Sequence, residues 1–265
     1  MNGRTILWGR WTAAALLLAF AANPLFAAQT ILRDQFQLDA AGEDLSTLLA
    51  WNPAFSNAPA TEGTIISAGA ANRVLRIDPV LTSGADSNLG IASKFAYNHF
   101  SPGNKLSVAV DILFSNDGIT DSQFAATFGL GSSLTSEIKP RYFLAIAEGS
   151  QTVSLLSQGL FTSDVLASGT FNPGFARHTY ELQSFIQDDS ILFKVLIDSF
   201  ELFTFQDNDP LTIGSSIKFG LGANFGNNVL FDNFHAQLIP EPSAFLLATL
   251  GALGLLVARR RQQSR

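Results

Sequence analysis

Side-chain chemistry needs particular residue types at particular spacings, and this 265-residue chain offers few such sets. Glycoside hydrolysis takes two carboxyl groups, about 5 to 5.5 Å apart in a retaining enzyme. On one strand these sit two or four residues apart, so that both point to one face. Asp198 and Glu201 are three apart, which puts them on opposite faces of a strand or across a turn, and they read as hairpin polar residues. His99, His178 and His235 are isolated, with no His-x-His or His-x-x-x-His pair for a metal. No Gly-x-Ser-x-Gly occurs, and Gly131-Ser132-Ser133 follows a strand with no convincing helix after it. Asn116, Asp117, Gly118 and Asp121 form an oxygen-rich loop suited to a hard cation, without the twelve-residue EF-hand pattern. The absence of cysteine excludes disulfides, thiolate catalysis and Cys-ligated zinc. Sugar binding needs aromatic rings to stack on and amides or carboxylates to orient hydroxyls. Trp51, Tyr97, Tyr142 and Tyr180 are the candidate rings, with Asn224, Asn227 and Asn228 in a loop. These residues predict a non-enzymatic binding protein and mark no catalytic or cofactor-binding residue, with a glycan-active enzyme or a protein-binding adhesive module as the alternatives.

The elements that would position such groups are strands. Leu106, Val108, Val110, Ile112 and Phe114 alternate onto one face, as do Ile191, Phe193, Val195 and Ile197. About a dozen segments of this kind run between residues 29 and 239, separated by Gly, Asn, Asp and Pro, at the spacing of a sandwich or barrel. Residues 40–50 read as a short helix or a loop. The composition agrees: 23 Phe and 21 Gly favour strands and tight turns, and 47% hydrophobic against 14% charged residues allows a substantial core. No linker or internal repeat divides this stretch, so one domain is predicted.

Charge is unevenly placed. The formal net charge is −6, but residues 28–240 carry 10 basic and 21 acidic side chains, a local net charge of −11. That balance disfavours nucleic acid as a partner, because the domain repels a phosphate backbone.

The two ends read as addresses. Residues 1–28 have the three parts of a secretory signal: Arg4 and Arg10, an apolar run from Thr12 to Ala22, and small residues at Ala27 and Ala28 for cleavage. At the other end Pro240-Glu241-Pro242 precedes the uncharged stretch Ala244 to Ala258, followed by Arg259, Arg260 and Arg261. A helix over that stretch is about 22 Å long at about 1.5 Å per residue, short of a hydrocarbon core of about 30 Å. It spans as a single transmembrane helix if the bilayer thins or the arginines snorkel. The arginines should stay cytoplasmic, leaving everything before Pro240 outside.

This order of Pro-Glu-Pro, apolar helix and arginines resembles the PEP-CTERM sorting signal over residues 240–265. The resemblance implies that Pro240, Glu241 and Pro242 are the processing site of an exosortase, a membrane-embedded protease. It also implies a protein exported, held for a time in the inner membrane, and then released to the outer surface or the medium. The domain resembles the concanavalin-like, or laminin-G-like, jelly roll. Arg33-Asp34-Gln35-Phe36 opens it, Ile197 to Phe203 reads as a hairpin, and Leu230-Phe231-Asp232-Asn233-Phe234 closes it. That resemblance implies an all-β, two-sheet antiparallel sandwich with first and last strands adjacent. It also implies a structural Ca²⁺ near Asp34 and Asp232, and a glycan or exopolysaccharide as partner. The Glu-x-Asp-x-x-Glu strand of the related laminarinases is missing. The expected division is a signal peptide at 1–28, a sandwich at 29–239 and a sorting segment at 240–265.

Overall fold

A computed structural model of the chain describes residues 29–34, 36, 41, 48, 50–54, 63–67, 73–77, 88–93, 104–114, 126–131, 141–147, 149–158, 163–187, 189–210, 217–224 and 229–240. Thr30–Leu238 form one compact unit. The signal and tail segments, the loop at 116–121, His99 and Tyr97 lie outside the described residues. So does most of 40–50.

The described regular structure is all strand. The early strands are β1 (Gln29–Asp34), β2 (Trp51–Ala54), β3 (Gly63–Ser67), β4 (Arg73–Ile77) and β5 (Asn88–Ser93). The middle of the chain supplies β6 (Asn104–Phe114), β7 (Ala126–Gly131), β8 (Arg141–Ala147), β9 (Thr152–Gln158) and β10 (Ser163–Thr170). Then come β11 (His178–Gln187), β12 (Ser190–Ile197), β13 (Phe200–Asp207), β14 (Lys218–Asn224) and β15 (Val229–Pro240).

They assemble into two sheets. One runs β13-β12-β11-β6-β15-β4-β3, with β1 also paired to β15; the other runs β10-β9-β8-β7-β14-β5-β2. The registers are antiparallel, among them Tyr180 opposite Val110 and Phe128 opposite Leu144. The expected adjacency of first and last strands is present. Both sheets place a late strand at the seam: β15 separates β6 from β4, and β14 separates β7 from β5.

Period-2 alternation explains the core. Leu106, Val108, Val110 and Ile112 of β6 meet Leu182 and Tyr180 of β11 and the alternate residues of β12 on one inner face. Phe128, Leu144, Leu155, Phe219 and Leu221 line the facing one. At the sheet ends Trp51 packs edge-on to Phe234 with ring centroids 5.0 Å apart, and Tyr142 lies 4.7 Å from Phe193. Where β7 pairs with β8, a side chain on Gly129 would put its Cβ 2.3 Å from the Tyr142 carbonyl oxygen, so only glycine fits.

Two strands differ from the expectation of segments rich in alternating apolar residues. β2 contains Pro53 and is tolerated because it ends its sheet. β10, with Ser, Gly and Thr and a register shift between Val165 and Ala167, ends the same sheet on the other side.

Candidate functional site

The described aromatic rings expected to stack on sugar do not face solvent. Trp51, Tyr142 and Tyr180 are each 0% exposed and belong to the core, so none offers a ring face to a ligand. The Tyr142 hydroxyl donates to Asp207 Oδ2 at 2.7 Å, and the Trp51 indole N–H donates to Asp34 Oδ2 at 2.7 Å. Their polar tips tie strands together rather than reach solvent. Asn224 ends β14 instead of lying in a loop; Asn227 and Asn228 lie outside the described residues.

Asp198 and Glu201 are hairpin residues, as the sequence suggests. Asp198 and Ser199, both at positive φ (50° and 71°), form the turn between β12 and β13. Asp198 accepts the Thr179 backbone N–H at 2.9 Å, and its other oxygen lies 2.7 Å from His178 Nδ1. Burial works to raise the Asp198 carboxyl, but the bonds from His178 and Thr179 outweigh it and hold the group below the usual range. Glu201 is held low by hydrogen bonds from Lys194 and Thr204. The two carboxylates thus serve different partners.

Asp34 and Asp232 do not fit a calcium ion as placed. Both oxygens of Asp34 accept protein N–H groups, from Phe36 and Trp51. Asp232, 4% exposed, accepts from Arg177 Nη1 at 2.8 Å and from the Asn233 backbone N–H at 2.7 Å. Among the described residues no group of three or more His, Asp or Glu side chains is placed to hold a metal.

The structure instead brings together residues that no sequence motif joins. A cleft of about 430 Å³ is lined by Thr30 and Arg33 of β1, Asp111 of β6, Thr179 of β11, and Asn233, His235 and Gln237 of β15. Its floor is a hydrogen-bonded lattice across three strands. Thr179 Oγ1 donates to Asp111 Oδ1 at 2.6 Å, and Asn233 Nδ2 donates to Asp111 Oδ2 at 2.7 Å. β15 is bent for this purpose. Asn233 has φ 49°, and burial shifts from Phe231 to Phe234, so an extra residue interrupts the alternation there. Beyond it Asn233, His235 and Gln237 line the cleft while Phe234, Ala236 and Leu238 are buried. His235 Nδ1 lies 3.2 Å from the Asn233 carbonyl oxygen, an obligate acceptor, so this nitrogen carries the hydrogen and Nε2 is left for a ligand. The sequence signal that marks this set is the polar residue at every second position of β15 opposite an apolar row.

Chemically the cleft offers amide, hydroxyl, imidazole and guanidinium groups around one carboxylate. That is a set for orienting hydroxyls. Among the described lining residues Asp111 is the one carboxylate, where glycoside hydrolysis takes two; Asp232 is paired with Arg177.

Residues 238–261 match the family model of the PEP-CTERM protein-sorting motif. The chain carries a PEP-CTERM sorting motif. Its first residues, Leu238 to Pro240, are the last of β15, so the motif begins in the final strand. Glu241, Pro242 and Arg259 to Arg261 of the PEP-CTERM tail lie outside the described residues. Among those described, no helix is long and apolar enough to cross a membrane. No curated protein matches the sequence. Solved structures similar in fold include an endo-1,3-beta-glucanase from Streptomyces sioyaensis, with TM-score 0.54 and 13% identity over 82% of this chain and 98% of that one. Peanut lectin in complex with a nine-residue peptide gives TM-score 0.52 and 12% identity over 80% and 98%. A Bacillus subtilis protein with a galectin-like fold gives 0.50 and 13% over the same shares. At such identities the likeness establishes the fold, a two-sheet antiparallel jelly roll.

Proposed function

We propose that this is an exported surface or extracellular-matrix protein whose jelly roll associates with exopolysaccharide or another glycan without cleaving it. The observation that carries the binding part is the cleft at Asp111, Thr179, Asn233, His235 and Gln237, which has the donors and acceptors to orient sugar hydroxyls and, among its described residues, one carboxylate. The similar fold of a lectin and a glucanase supports the reading by analogy alone. The sorting motif carries the rest. An exosortase-type protease acts at Pro240-Glu241-Pro242, after a signal peptide at 1–28 has led the chain out. Residues 244–258 anchor the chain in the inner membrane while Arg259, Arg260 and Arg261 hold the cytoplasmic side.

The test is a glycan array and a reducing-end release assay on the same full-length, detergent-solubilised protein. Binding that weakens about tenfold or more in Asp111→Ala, which removes the acceptor that aligns Thr179 and Asn233 in the cleft floor, with no sugar released, is the expected result. Release of reducing ends by wild type would make the protein a glycan-active enzyme. Binding unaffected by Asp111→Ala would move the glycan site out of this cleft.

A further inference from the structure

The charges around the cleft carry the reading of that site one step further, to the class of sugar. Arg177 and Lys194 are each paired, with Asp232 at 2.8 Å and Glu201 at 2.6 Å. Arg33 is exposed, lines the cleft, and has no carboxylate partner among the described residues. Lys105 and Lys218 likewise have no carboxylate partner among the described residues, but Arg33 is the one described Lys or Arg that lines the cleft. The local backbone explains how it is held there. Asp34, the next residue, accepts the Phe36 N–H and the buried Trp51 indole N–H, which pins the end of β1 to the core. Arg33 therefore stands on a strand end fixed to the core, at the rim of the cleft.

Asp111 does not supply the missing counter-ion. Each of its oxygens is turned to a donor of a neighbouring strand, Thr179 or Asn233, and it forms no ion pair with Arg33. The remaining acidic charge of the domain acts weakly inside the cleft, because the Debye length at physiological salt is about 8 Å. A guanidinium fork left open beside hydroxyl-orienting groups matches a carboxylate set among hydroxyls.

Resting on the reading of the cleft as a glycan site, we infer that its ligand is an acidic polysaccharide, with Arg33 taking the carboxylate of a uronic-acid residue while Gln237, Thr30 and His235 Nε2 meet the ring hydroxyls. Arg33 is then the residue that separates acidic from neutral glycans.

The experiment presents the full-length protein with alginate, polygalacturonate and hyaluronan, each beside its carboxyl-reduced form, in which only the charged group is changed. At least one acidic polymer is expected to bind about tenfold or more tighter than its reduced form, the worth of one charge-assisted contact. Arg33→Gln should bring the two forms to equal affinity without abolishing binding to the neutral one. Arg33→Lys should keep part of the preference, having the charge but not the fork. Equal affinity of wild type for every acidic polymer and its reduced form would overturn the inference while leaving the cleft a neutral-glycan site. A preference that survives Arg33→Gln would overturn it as well. Failure of these polymers and of a neutral glycan array to bind at all would remove the glycan reading itself, and this inference with it.

Discussion

Asp232 and Arg177 show what single residues contribute. The carboxylate is buried at the bend of β15, and Arg177, half in solvent, neutralises it. Arg177→Ala should destabilise the domain by about 2 kcal/mol, between the worth of an exposed pair and the cost of orphaning a buried charge. Urea unfolding with an unchanged slope is the measurement. Tyr180 makes the opposite point. Its hydroxyl is buried with no hydrogen-bond partner, and burial, with the Asp198 charge second, raises its ionisation well above the ordinary 10.0. The folded chain therefore keeps a proton that the unfolded chain gives up. The stability from this source is whole below pH 10.0 and is lost as pH rises past it toward the raised folded value. Tyr180→Phe should be at least as stable as wild type at neutral pH and lose less stability in alkali, which melting curves across that range will read.

Elements explain which parts were legible in the sequence. β6 and β12 stood out because each has one face on the core, so their apolar residues alternate without a break. β10 and β2 did not, because an edge strand is selected for what it refuses to pair with as much as for what it buries. The cleft escaped for a different reason. Its residues come from β1, β6, β11 and β15, and only the register across the sheet makes Asp111, Thr179 and Asn233 neighbours. The aromatic candidates misled because Trp51, Tyr142 and Tyr180 have polar tips that are satisfied or desolvated within the core, which a sequence does not show. Gly129→Ala would drive its Cβ into the backbone of β8, which cannot yield as a side-chain tip can, and should cost about 2–3 kcal/mol; thermal melting decides it. The β12–β13 turn should loosen in acid. Asp198 titrates below its ordinary 3.8, so its contribution is present above that value and is lost as pH falls through the lowered folded one. Amide exchange at Thr179 and Asp198, measured against Asp198→Asn, should show protection falling in acid for wild type, with a smaller change in the variant.

The whole molecule joins a compact sandwich to a sorting motif that starts in its last strand. By residue type, prolines on either side of Glu241 favour an extended backbone and cannot continue a helix, which suits the proposed processing by a protease. Glu241→Ala alters neither the apolar stretch nor the arginines. Export and membrane retention should therefore be intact, while full-length protein accumulates in the membrane of a host with an exosortase. Immunoblots of membrane and medium fractions will show it, with a host lacking the enzyme as control. Equal release of mutant and wild type in the competent host would leave the tail a plain anchor.

The seam strands also decide when the domain can fold. A chain is made, and passes through any pore, from its N-terminus. β4 and β6 cannot join until β15 arrives between them, nor β5 and β7 until β14 does. One sheet must therefore wait for residues 218–224 and the other for residues 229–240 before it closes. Contacts so distant in sequence make folding slow, on the order of milliseconds to seconds even in small β domains. Up to that moment the chain remains threadable, and a product truncated before residue 229 would lack the strand that completes a sheet. The last strand and the sorting motif share Leu238 to Pro240, so a chain that carries the motif also carries the strand that joins β4 to β6.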